Sequence, residues 1–209
     1  MFVVSMIGQK GGSGKTTTGL GLAVAAARAV RTVAVIDLDP QTNAANWKDR
    51  RSEENPAVVS AQSGRLPQTI EAARKAGADF VIIDTPGKAD QIAIDAARVA
   101  NLVLIPCRLQ VFELETLPAT RDLLRVAGDP PAYVVLVGIH PAATKSLQEA
   151  RQMVERLSGL QTCPAHLCHR ASYIDAPATG KAPQEIDPDG KAAAELERLY
   201  MFFCKHANM

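Results

Sequence analysis

Long hydrophobic runs are missing from this chain: no stretch of about eighteen consecutive apolar residues occurs, so no membrane-spanning helix is expected. Met1 leads directly into an apolar segment without a basic region before it, and no secretory signal is expected either. An excess of charge of either sign is also missing. Lys and Arg number 23 against 22 Asp and Glu, a net charge of +1, so any contact with a polyanion must come from a local patch. Cysteine is sparse and poorly spaced. Cys107, Cys163, Cys168 and Cys204 include no C-x-x-C pair, and Cys163-x-x-x-x-Cys168-His169, with His166 inside it, has poor spacing for a metal. Buried free thiols in a reducing cytosol are the expectation. Repeats, low-complexity tracts and interdomain linkers are lacking too. With 209 residues, 47% of them hydrophobic, the chain can bury one sizeable core, and a single domain over residues 1–209 is expected.

What is present is concentrated near the start. The segment Gln9-Lys10-Gly11-Gly12-Ser13-Gly14-Lys15-Thr16-Thr17 follows an apolar run, Phe2 to Ile7, and opens a long Ala/Leu-rich stretch. Strand, glycine loop and helix in that order form a phosphate-binding site. A loop wrapping a polyphosphate must turn several backbone N–H groups inward, and Gly11, Gly12 and Gly14 permit the close approach and positive φ this needs. The helix starting near Lys15 adds its positive end. Lys15 can neutralise β/γ oxygens and the Thr16 hydroxyl can ligate Mg²⁺, with Ser13 and Thr17 completing the cradle. The general pattern G-x-x-x-x-G-K-[ST] asks for glycine at position 9, where this chain has Gln9. Lys10, five residues before Lys15, lies too early to reach the same phosphate from the same side.

Two further apolar runs end in acids. Thr32 to Ile36 leads into Asp37-Leu38-Asp39-Pro40-Gln41, and Phe80 to Ile83 leads into Asp84-Thr85-Pro86-Gly87. Continuous β-branched runs of this kind are strands covered on both faces of a parallel sheet, whose ligands bind beyond the strands' carboxyl ends. Asp84 is placed to hold Mg²⁺ directly or through water, and the turn after it can respond to a γ-phosphate.

Apolar strands alternate with amphipathic segments along the whole chain. Strands are expected near 2–8, 32–37, 57–60, 80–84, 101–106, 133–139 and 163–168, and helices near 15–30, 42–53, 67–76, 89–99, 112–127, 143–158 and 190–205. Such alternation predicts an α/β fold of P-loop NTPase type: a mostly parallel twisted sheet of about 7–8 strands with helices on both faces. Asp187 is expected to cap the last helix, with Pro188 at its first position.

On the motif K-G-G-x-G-K-[ST] formed by Lys10 to Thr16, the chain resembles the ParA/MinD family of deviant Walker ATPases, closest to the small ParA type. The segment Arg170 to Glu195 adds weaker likeness to the C-terminal part of partition ATPases. No helix-turn-helix extension is expected before the first strand. The resemblance implies ATP/ADP and Mg²⁺ as ligands. It implies that Lys10 crosses a dimer interface to the partner's nucleotide, that Asp39 positions or activates the attacking water, and that Asp37 is an outer-shell partner of the metal. It further implies an ATP-dependent homodimer that binds DNA non-specifically on the nucleoid in the cytoplasm. A centromere-binding or other cargo adaptor would then stimulate hydrolysis.

The DNA surface is not legible as a stripe. Arg151, Arg156, Arg170, Lys181, Lys191 and Arg198 are the basic candidates for phosphate contact, yet residues 151–209 hold seven basic and seven acidic side chains. A MinD-like membrane switch would need a basic amphipathic C-terminal helix. The tail from Leu199 to His206 is apolar but has only Arg198 and Lys205 nearby, so its aromatic residues are expected to dock on the body. A small-molecule ATP-dependent ligase of dethiobiotin-synthase type shares the fold but has no need of Lys10.

Overall fold

Five strands of this chain are apolar on both faces, and such strands fold stably only when both faces are covered. The computed structural model describes residues 1–207, the side chains of residues 144 and 145 excepted. Its elements run β1 (Phe2–Met6), α1 (Lys15–Arg28), β2 (Val33–Asp37), α2 (Asn43–Asp49), β3 (Ala57–Ser60), α3 (Leu66–Lys75), β4 (Phe80–Asp84), α4 (Asp90–Val99) and β5 (Leu102–Arg108). The second half continues α5 (Val111–Leu114), α6 (Leu117–Val126), β6 (Ala132–Ile139), α7 (Thr144–Ser158), β7 (Gln161–Thr162), β8 (Leu167–Cys168), α8 (Ser172–Asp175), α9 (Pro183–Ile186) and α10 (Lys191–His206). All strand pairs are parallel, in the order β3-β2-β4-β1-β5-β6-β7, with β8 also on β6.

Period-two alternation divides the side chains between two layers. Val4, Met6, Val35, Phe80, Ile82 and Leu104 pack under α1, α2 and α10. Val3, Ile36, Val81 and Ile83 point the other way toward α3. Val103, Ile105, Val134 and Leu136 do the same against α4, α6 and α7. The Ala/Gly composition of α1 follows from its place: ten of its fourteen residues are buried. A Cβ on Gly21 would lie 2.6 Å from Leu196 Cδ2, so α1 and α10 are in contact where there is no side chain to separate them.

Four expectations need correction. Of the strand expected over 163–168 only Leu167–Cys168 (β8) forms strand; a second short piece, β7, precedes the span, and the two lie on successive parts of the β6 edge. Pro164 offers no N–H to a ladder, and the register on β6 shifts between Val137 and Ile139. The helix expected over 112–127 is broken into α5 and α6, because Pro118, within the first turn of α6, cannot donate to an earlier carbonyl. The helix expected over 42–53 ends at Asp49, since Arg51 turns away to grip Glu185 at 2.7 and 2.8 Å. The last helix begins at Lys191, not at Pro188; Asp187 instead closes a turn in which Gly190 N–H donates to its carbonyl.

The aromatic tail docks as expected. Phe203 is fully buried, edge-on to Phe2 at 5.3 Å and tilted against Phe80 at 4.6 Å, and Phe202 stands edge-on to Tyr133 at 5.0 Å. Among the described residues no helix is long and apolar enough to cross a membrane. Phe203→Ala should therefore destabilise the whole domain by about 3–5 kcal/mol, read as a lower denaturant midpoint at unchanged slope.

Candidate nucleotide site

Parallel pairing decides where the acids meet. Met6 is opposite Asp84, and Asp84 is opposite Asp37, so the ends of β1, β4 and β2 lie side by side and the loop leaving β1 runs over both carboxylates. Gly12 and Gly14 in that loop have φ of 76° and 90°, the left-handed conformations for which glycine was expected. Lys15 is buried, and its ammonium donates to the Lys10 carbonyl at 2.9 Å, so the loop closes over its own lysine. Burial lowers the Lys15 pKa, while the charges of Asp84, Asp39 and Glu113 act against that. The Ser13 hydroxyl is buried with no hydrogen-bond partner among the described residues.

Thr16, in the first turn of α1, donates its hydroxyl to Asp84 Oδ2 at 2.6 Å, while Asp84 Oδ1 is buried with no partner among the described residues. Two hard oxygens side by side, one of them unsatisfied, are the donor set that Mg²⁺ takes. Thr16 and Asp84 therefore fit the metal assigned to them. Desolvation raises the Asp84 pKa to about 7, with the Thr16 hydrogen bond opposing and the Asp37 charge reinforcing.

Asp37, expected as an outer-shell partner of the metal, also braces the backbone around it. Its Oδ1 accepts the Asp39 N–H at 3.0 Å, and its Oδ2 accepts the N–H groups of Ala44 and Ala45 at 3.0 and 3.2 Å. The carboxylate is thus engaged by backbone: it caps the start of α2, which lacks a cap from its own Thr42, and holds the turn that carries Asp39. Burial raises the Asp37 pKa, and those three N–H bonds offset part of the effect. Asp39 itself is half-buried and lines the same cleft as Gly11, Lys15 and Thr16, about 410 Å³ in volume. One Asp39 oxygen accepts the Gln41 N–H at 2.9 Å.

Three ties bind the loop after β1 to the turn after β4. Thr16 holds Asp84, Gln9 Nε2 donates to Asp90 Oδ1 at 3.1 Å, and Gly87 lies so close to the loop that an added Cβ would be 2.8 Å from the Gly11 nitrogen. Gln9 thus takes up a contact that glycine at this position could not make.

A second cavity, about 390 Å³, opens on the other side of Gly14 and Thr17, floored by Val137 and Gly138 and walled by Leu167 and Tyr173. Behind it is a buried network that sequence reasoning missed. Glu195 accepts from Cys168 N–H at 3.0 Å, from Tyr173 O–H at 3.0 Å and from the Arg170 guanidinium at 2.5 and 2.9 Å. Burial and the adjoining carboxylate push the Tyr173 hydroxyl up, so it stays a donor.

The candidate DNA contacts are scattered. Arg170 is committed to Glu195, and Arg151 donates to the Pro164 carbonyl at 2.8 Å. Arg156, Lys181, Lys191 and Arg198 are exposed. Three of the four cysteines, Cys107, Cys163 and Cys168, are buried free thiols; burial pushes Cys163 up to about 11.

Comparison with known proteins gives this geometry its context. A profile of the CobQ/CobB/MinD/ParA nucleotide-binding domain matches residues 4–183. The chain belongs to this family. The chromosome-partitioning ATPase Soj of Thermus thermophilus is 26% identical over 94% of this chain and 92% of its own length. The maintenance of carboxysome distribution protein A of Gloeobacter kilaueensis is 27% identical over 94% of both chains. Among solved structures, MinD of Aquifex aeolicus superposes with a TM-score of 0.79 at 16% identity over 98% of both chains. MinD of Pyrococcus horikoshii, solved with Mg-ADP, superposes with a TM-score of 0.75 at 18% identity over 99% of this chain and 97% of that one. The structural likenesses establish the ParA/MinD fold, and the two sequence relatives are a chromosome-partitioning ATPase and a carboxysome-distribution protein.

The raised Asp84 pKa has a measurable consequence. A carboxyl that holds its proton more tightly folded than unfolded destabilises the fold as pH rises from its unfolded pKa, near 4, to its folded one, about 7. In metal-free buffer the wild-type melting temperature should fall over that interval, and Asp84→Asn should flatten the fall. A Mg²⁺ ion held at Asp84 would favour the ionised form, so metal affinity should rise through the same window.

Proposed function

We propose that this chain is a Mg²⁺-dependent ATPase of the small ParA type. It forms an ATP-bridged dimer, binds DNA without sequence preference and positions a plasmid, chromosome or other large cargo, with an adaptor protein stimulating hydrolysis. The observation that supports this most is Lys10. The Lys15 ammonium is already placed under the loop, whereas the Lys10 side chain has no hydrogen-bond or ion-pair partner among the described residues. A second loop lysine with no task in its own subunit suits a phosphate held by another copy.

In this reading Lys15 and the loop N–H groups neutralise the β/γ oxygens. Thr16 and Asp84 would hold Mg²⁺, which draws charge from the same oxygens when bound. Asp39, fixed by Asp37 from behind, has one carboxylate oxygen outside the Gln41 hydrogen bond and aligns a water against the terminal phosphate. Lys10 of the second copy completes the charge. The exposed Arg156, Lys181, Lys191 and Arg198 serve duplex phosphates, a contact that needs no base reading.

Sedimentation with ADP or ATP, with and without non-specific duplex DNA at two salt concentrations, tests the reading. Wild type should dimerise with ATP and load onto DNA in a salt-sensitive manner, and Asp39→Ala should accumulate the ATP dimer. Lys15→Ala should lose nucleotide binding. Lys10→Ala should bind nucleotide yet neither dimerise nor hydrolyse it; normal hydrolysis by Lys10→Ala would overturn the assignment. Dimers indifferent to DNA would point to a membrane surface, and a monomer under all conditions to a small-molecule enzyme.

A further inference from the structure

The two cavities beside the phosphate loop share a wall of three residues: Gly14, Thr17 and Arg108. Gly14 and Thr17 belong to the loop and to the first turn of α1. Arg108 does not. It is the last residue of β5 and comes from the opposite side of the cleft, paired in register with Val137 on β6.

Its backbone is fixed and its side chain is not. The Arg108 N–H donates to Glu113 Oε2 at 2.8 Å, and that glutamate is itself only 8% exposed, so the end of β5 is clamped. The guanidinium is exposed, with no hydrogen bond or salt bridge among the described residues. Gly138, at φ 67°, leaves the surface beside it bare; a Cβ there would lie 3.8 Å from Arg108 Cγ. The other arginine of the second cavity, Arg170, is already neutralised by Glu195. Arg108 is therefore the unpaired cation at the junction of the two spaces.

Lys15, Thr16 and Asp39 give the first cavity the chemistry of terminal phosphates, while Val137, Leu167 and Tyr173 give the second the flat, partly apolar lining that a base and sugar need. The part of a nucleotide that crosses from one to the other is the α-phosphate. We propose that Arg108 is a nucleotide-binding residue that takes the α-phosphate with its guanidinium fork. An arginine presents two parallel N–H donors to phosphate, and its charge survives at any working pH. The proposal rests on the nucleotide reading above and adds to it a contact from outside the loop, one common to di- and triphosphates.

Calorimetric titration of the full chain in Mg²⁺ with ADP, and separately with a non-hydrolysable ATP analogue, tests it. Arg108→Ala should weaken ADP by roughly tenfold or more, the scale of a lost charge-assisted hydrogen bond, and should weaken the triphosphate analogue by the same factor. Arg108→Lys should recover part of the loss. The nucleotide-free melting temperature should not move, since the side chain has no partner to lose. Unchanged ADP affinity would overturn the proposal. So would a loss confined to the triphosphate, which would place Arg108 at the γ-phosphate, or a fall in melting temperature, which would make its role structural. Failure of the wild type to bind either nucleotide would instead overturn the ATPase reading.

Discussion

Everything at the cleft depends on parallel register. Because β1, β2 and β4 run the same way and stop level with one another, Met6, Asp37 and Asp84 arrive at one edge of the sheet without any loop having to search for them. Antiparallel pairing would alternate the strand ends and send half of these groups to the far side. The burial that enforces this register also sets the chemistry. A carboxyl at the end of an apolar strand sits among apolar neighbours, and desolvation is the largest influence on both Asp37 and Asp84.

The two acids answer that desolvation differently. Asp37 recruits three backbone N–H groups and becomes part of the scaffold. Among the described residues, Asp84 receives a single hydroxyl and keeps one oxygen without a donor. An unsatisfied buried oxygen is costly in isolation. This contrast separates the two acids, although both occupy the same position on adjacent strands.

Much of this was legible because it is local. Glycines at 12 and 14, a lysine and threonine at the start of a helix, and acids closing apolar runs are all patterns a few residues long. What escaped depends on groups distant in sequence. The task of Asp37 is set by the N–H groups of residues 44 and 45, beyond a turn whose shape the chain does not announce. The Glu195 network joins residues 22 to 27 positions apart. Arg108, like Asp84, is a charge at the end of an apolar run, here Leu102 to Cys107. Pro118 and Pro164 mark the breaks in the helix expected over 112–127 and the strand expected over 163–168, where a missing N–H outweighs the hydrophobic pattern.

The helix α2 spans seven residues, too few to persist by its own hydrogen bonds. It exists because it is held at both ends. Asp37 grips its first amides, and at the other end Trp47 donates to the Lys181 carbonyl while Arg51 lies 4.8 Å over the Trp47 ring and reaches Glu185. A rod pinned in this way transmits displacement instead of absorbing it. The segment around residues 180–186 is therefore tied through α2 to the turn that carries Asp39, and the two are held as one unit.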